Sequence, residues 1–233
     1  MNNNRIREVL IFIILFLGMA LFQYIPLSIF NININNMSDK MKILYQFACD
    51  LGFMIIIFLG YHKSLLRDIK DIRYNLRRYL EKMIKYYLVG LLIMYGSNFL
   101  IGVLFSSANA NNEEMVRDLI DLYPLYMIFS VSLYAPAVEE IIFRKSIKDV
   151  VLSFGNNKIC KYLYVIMSGL IFASMHVLGI VTSNLDYLYI IPYLGLGSAF
   201  ALLYYETDNI FTTIIMHSLH NTIAIILYLM VGV

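Results

Sequence analysis

Tryptophan is absent from this 233-residue chain, cysteine occurs only at Cys49 and Cys160, and charged residues make up only 15% of it. The two cysteines lie far apart with no ligand-type spacing, which argues against a disulfide framework or a cysteine-based metal site. The few charges come in clumps, and a soluble domain of this size rarely reaches the 60% hydrophobic content found here. There is no internal repeat, no low-complexity tail and no clear small-residue cleavage site after the first apolar run, so a signal peptide is not expected. The net charge of +2 says little about partners, because the distribution of charge matters more; membrane lipid is expected among them and nucleic acid is not.

What the chain has instead is a series of long apolar runs and a mean hydropathy of +0.71. The composition predicts an all-α, polytopic transmembrane helix bundle of about seven membrane helices in a single domain, 1–233. Nineteen tyrosines can serve as interfacial anchors. Abundant Ile, Asn, Lys and Tyr point to an AT-rich bacterial genome, and so to a multi-pass protein of a bacterial cell membrane.

The first span is read within 9–30, ending near Pro26, and the second over 43–61, where Asp50 is taken as a packed polar residue. A basic segment follows, with Lys63, Arg67, Lys70, Arg73, Arg77, Arg78, Lys82 and Lys85 against Asp68, Asp71 and Glu81. Leu65, Ile69, Ile72, Leu76, Leu80 and Met83 recur in it at helical spacing, which suits a basic amphipathic helix on an anionic membrane face. A solvated cytoplasmic loop is the plainer reading, and both put the segment inside. The third span is 86–105, and the loop with Glu113, Glu114, Asp118 and Asp121 reads as external. The positive-inside rule then puts the N-terminus in the cytoplasm, with Lys40 and Lys42 counting mildly against it. A fourth helix runs from about 123 to 153 with a kink expected at Pro136, and a turn follows at Gly155, Asn156 and Asn157. The remaining spans are 162–178, 187–204, where Gly195 and Gly197 allow close helix approach, and 210 to the end, after a turn at 206–209.

Polar groups inside these apolar runs are the candidate site, because ionisable residues in a bilayer are costly. Glu139, Glu140 and Arg144 lie in one run, His176 in the next, and His217 with Asn221 in the last. Glu139 and His176 are equidistant from the turn at 155–157, so an antiparallel hairpin brings them to one height; His217 lies at a similar depth. Glu140 and Arg144 are four residues apart and can pair, and Glu139 is turned about 100° away and free for chemistry. A carboxylate in apolar surroundings suits a general base or acid near neutrality, and with an imidazole it can activate a shared water. A second histidine and an asparagine amide can donate to a developing oxyanion. Ser174 and Ser218 beside the histidines are weak grounds for a serine nucleophile. Phe172 reads most simply as a packing residue and His220 as structural.

Glu139-Glu140-Ile141-Ile142-Phe143-Arg144 fits E-E-x-x-x-R, Phe172 to His176 fits F-x-x-x-H, and His217 to Asn221 fits H-x-x-x-N. In that order the chain resembles the CAAX protease and bacteriocin-processing family, also called the Abi family of intramembrane glutamic endopeptidases. The resemblance covers roughly 125–228, sets a protease core at about 122–230, and leaves the first 120 residues without family signal. It implies that Glu139 and His176 activate water and that His217 and Asn221 form the oxyanion hole. Glu140, Arg144 and Phe172 would be supporting residues, no cofactor would be needed, and the site would open toward the cytoplasm. Many members carry glycine after the motif arginine, where this chain has Lys145.

The expected function is therefore hydrolysis of a membrane-associated peptide or protein, in peptide, bacteriocin or pheromone processing or in self-immunity. A prenylated substrate is not expected in a bacterium. Three rivals stand beside it. A non-catalytic scaffold or bacteriocin immunity protein would act by binding alone. Zinc held by Glu139, His176 and His217 would leave an open position, and chelator insensitivity would count against it. A transporter is disfavoured by the lack of an inverted repeat.

Overall fold

The computed structural model describes residues 3–105 and 110–231, and among these there is no β-strand. The helices are α1 (Asn3–Leu21), α2 (Tyr24–Ile29), α3 (Asp39–Gly60), α4 (His62–Phe105), α5 (Asn111–Leu122), α6 (Pro124–Leu152), α7 (Lys158–Val177), α8 (Ile190–Thr207) and α9 (Ile210–Val231). Six of these, α3, α4 and α6 to α9, are long and apolar enough to cross a membrane, α8 with the short turn before it. The expected seventh, α1, carries Arg5, Arg7 and Glu8 in its first two turns and so is not apolar over a full span.

Two elements differ from the sequence reading. The basic segment is not a separate surface helix: it forms the first half of the 44-residue α4, unbroken into the third span. Leu65, Asp68, Tyr79, Met83 and Tyr86 bury one stripe of that half, while Leu66, Ile69, Leu76 and Leu80 stay exposed. A change of composition along a helix marks an interface without ending its hydrogen-bond ladder. The acidic stretch after residue 110 is likewise a helix, α5, rather than a loop.

Pro136 does not end α6. The helix carries it between two π-helical stretches, Ser130–Tyr134 and Glu140–Ser146, whose wider turns absorb the local change in the ladder. Such stretches recur at functional sites, and here the second begins at Glu140. The turn after α6 closes on Asn157, whose side chain accepts from the Cys160 N–H at 2.9 Å and so caps α7.

α8 lies between α4 and α7 and packs extensively on both. Lipid offers no hydrophobic drive for helices to associate, so close approach depends on small residues. A Cβ on Gly197 would lie 3.0 Å from the Phe172 ring and 3.3 Å from Gly169 Cα, and Gly195 receives the Ile93 side chain from α4. The main core gathers on the second half of α6, where Ile141, Ile142 and Phe143 are inaccessible to solvent, against Phe53, Ile57, Tyr164 and Tyr204. α1 covers the far side of α6, with Phe16 edge-on to Phe143.

The turn between α8 and α9 is pinned by polar contacts. Asp208 adopts the left-handed conformation (φ 48°) and takes Lys148 Nζ at 2.7 Å. Asn209 Nδ2 donates to Asp68 O at 2.7 Å, and the Ile210 N–H donates to Asp68 Oδ2 at 3.1 Å. An α4 carboxylate therefore caps α9 and fixes the depth at which His217 enters the bundle.

Candidate active site

The second π-helical stretch of α6 presents Glu140 and Arg144 to the interior, both with no accessible surface. Arg144 Nε and Nη2 approach the two Glu140 oxygens at 3.0 and 3.2 Å, a bidentate pair. The third guanidinium nitrogen, Nη1, donates to Ser168 Oγ at 3.1 Å on α7, and Ser168 Oγ donates to Phe143 O at 2.6 Å. His217 Nδ1 donates to Glu140 Oε1 at 2.9 Å, so α6, α7 and α9 are joined through one buried ion pair. Breaking such a pair from one side strands a charge, which makes it a strong constraint on helix register.

Phe172, read from the sequence as a packing residue and from the resemblance as a supporting one, is part of the main core. It is 2% exposed and sits at the centre of the cluster. Its ring lies 4.6 Å from the Arg144 guanidinium carbon, with ring centroids of His176 at 4.3 Å and His217 at 5.8 Å. It acts as an aromatic floor under one cation and two imidazoles. Ser168 and Tyr193 were missed altogether. Tyr193 stacks on the open face of His176, at 4.9 Å and 29°. Neither residue has a motif to announce it, since each is identified only by what another helix brings to it.

Glu139 is held apart from this saturated pair. Its Oε2 is buried, has no hydrogen-bond partner among the described residues, and lies 4.0 Å from His176 Nε2. His176 Nδ1 donates to Phe172 O at 2.9 Å, which leaves Nε2 as the acceptor nitrogen facing the carboxylate. At 4.0 Å the two are too far apart for a direct bond and suitably placed to share a water. Asn221 reaches elsewhere: its Nδ2 donates to Val131 O at 2.8 Å, in the first π-helical stretch of α6. One amide N–H is thereby engaged, and among the described residues the other has no acceptor. His220 meets Tyr87 OH at 3.2 Å, on the α4 side of α9. Among the described residues, no three His, Cys, Asp or Glu side chains converge as a metal site.

Comparison with known proteins falls on the helices that build this cluster. Residues 121–223 match the family model for type II CAAX prenyl endopeptidase Rce1-like proteins. Over these residues the chain is similar to CAAX-type membrane proteases. Two curated relatives are also similar to part of the chain. YdiL of Bacillus subtilis (strain 168), whose name proposes a membrane peptidase, is 34% identical over 120 residues, 52% of this chain and 44% of YdiL. The membrane-embedded CAAX protease MroQ of Staphylococcus aureus (strain USA300) is 32% identical over 121 residues, 51% of this chain and 45% of MroQ. The match thus spans less than half the length of each relative. No solved structure matches.

Proposed function

We propose that this chain is a membrane endopeptidase in which Glu139 and His176 together activate a water to cut a membrane-associated peptide. The observation that carries the reading is the unpartnered Glu139 Oε2 at 4.0 Å from the acceptor nitrogen of His176. Water held there donates one hydrogen to each acceptor, which directs its lone pair at a carbonyl carbon. The O–C bond forms as a proton passes to Glu139; the C–N bond then breaks and that proton goes to the departing amine. One water is consumed and no covalent enzyme intermediate is formed.

Glu140 and Arg144 support rather than react, since each is already saturated by the other and by His217. His217 spends its Nδ1–H on Glu140, so it donates to an oxyanion through Nε2 only as an imidazolium. The free N–H of Asn221 is the second oxyanion donor. The core is 122–230, the N-terminus is cytoplasmic, and the site opens toward the cytoplasm of a bacterial cell. The substrate belongs to peptide, bacteriocin or pheromone processing.

The test compares wild type with Glu139→Gln at matched membrane levels in cells lacking the gene, reading small secreted and membrane peptides by mass spectrometry. A processed peptide seen only with wild type is the expected result. Identical profiles with an equally restored phenotype would instead assign a binding role. Cleavage by purified protein should survive chelator treatment.

A further inference from the structure

A cavity of about 190 Å³ opens beside Glu139, and Met19, Gln46, Asp50, Tyr126 and Tyr134 also line it. The role proposed above uses only its Glu139 wall. Asp50 lies midway along α3 and is 4% exposed. Gln46 Nε2 donates to its Oδ1 at 2.9 Å and Tyr126 OH donates to its Oδ2 at 2.8 Å. A donor on each oxygen stabilises the carboxylate form over the neutral acid. Among the described residues, no lysine, arginine or histidine lies within ion-pair distance of it. An anion in mid-span with hydrogen-bond donors and no counter-charge is an expensive arrangement.

We infer that this cavity is a substrate subsite, that it takes a lysine or arginine side chain of the peptide, and that Asp50 sets this specificity. The inference rests on the hydrolytic reading of Glu139. At about 190 Å³ the space is smaller than pockets that enclose whole small ligands, about 300 Å³ and upward, and suits a single side chain. Met19, Tyr126 and Tyr134 give apolar and aromatic walls for a methylene stem and a ring face for its cation. The arriving charge supplies the partner that Asp50 lacks. An acidic side chain meets like charge there, and an apolar one leaves the anion as costly as before. Because Glu139 lines the same cavity, a side chain lodged in it brings the adjoining peptide bond toward the proposed base.

The test uses N-palmitoylated Ala/Leu peptides carrying one central Lys, norleucine or Glu, with the full chain in nanodiscs. Binding is measured on the Glu139→Gln protein, with and without Asp50→Asn, and cleavage is measured on wild type in parallel. The Lys peptide should bind at least about tenfold more tightly than norleucine, with Glu weakest, and Asp50→Asn should level Lys and norleucine. Equal binding of all three peptides, or a Lys preference that survives Asp50→Asn, overturns the subsite. Should Asp50→Asn bind nothing, Asp50→Glu decides: a restored Lys preference supports the assignment, and none rejects it. Lys-selective binding without wild-type cleavage would keep the subsite and remove the hydrolytic reading, while unselective cleavage would do the reverse.

Discussion

Two buried carboxylate sites hold the first turns of α9, and they are finished differently. At the α8–α9 turn, Asp68 is 1% exposed, its Oδ1 takes Arg67 Nε at 2.9 Å, and its Oδ2 takes the Ile210 N–H at 3.1 Å. Deeper in the bundle, Glu140 is as fully served, but its neighbour Glu139 keeps one buried oxygen with no donor. A carboxylate that only holds helices together has its acceptor capacity filled, because an unmet buried polar atom costs stability. An unfilled one beside a filled one, on the same helix, is the signature expected of a group reserved for a ligand or a reaction.

Mutations should separate the two kinds of site. The largest effect is expected for Arg144→Ala, which strands Glu140 and His217. It should cost about 3–5 kcal/mol and show as a loss of folded protein in detergent thermal melts. Glu139→Gln should lower cleavage by about 10²- to 10⁴-fold and leave the melting midpoint in place, since no hydrogen bond to Oε2 is lost. A parallel fall in stability would erase the contrast. Asp68→Asn should do the opposite, costing about 0.5–2 kcal/mol as a weakened cap while turnover per folded molecule stays near wild type. Smallest is Tyr87→Phe, which removes the partner of His220 for about 0.5–1.5 kcal/mol; a large drop in kcat from it would move His220 into the reacting set.

The legible and the hidden parts of the sequence follow from how each is encoded. The spans, the turn at 155–157 and the Glu140–Arg144 pair are local, set by apolar runs, turn residues and a four-residue spacing. The approach of Glu139 to His176 was reachable because a hairpin fixes height by counting from its turn. The unbroken α4 was not, since its change from basic to apolar resembles a boundary. The π-helical stretches were hidden too, as a ladder shifted by one residue leaves no mark on composition. Asp50 is the sharpest case. It reads as one packed polar residue, and its significance comes from Tyr126 and Glu139, far along the chain, walling the same cavity.

α4 also has a mechanical consequence. At 1.5 Å per residue its 44 residues make a rod about 66 Å long, against about 30 Å of hydrocarbon. Half of it therefore has no lipid to lie across. Asp68 grips the α8–α9 turn near one end, and Ile93 fills the Gly195 notch well along the other. Between those points Tyr79 OH donates to Thr207 O at 3.3 Å and Lys82 Nζ to Glu206 O at 2.9 Å, so the same rod that crosses the lipid also braces the joint from which His217 hangs.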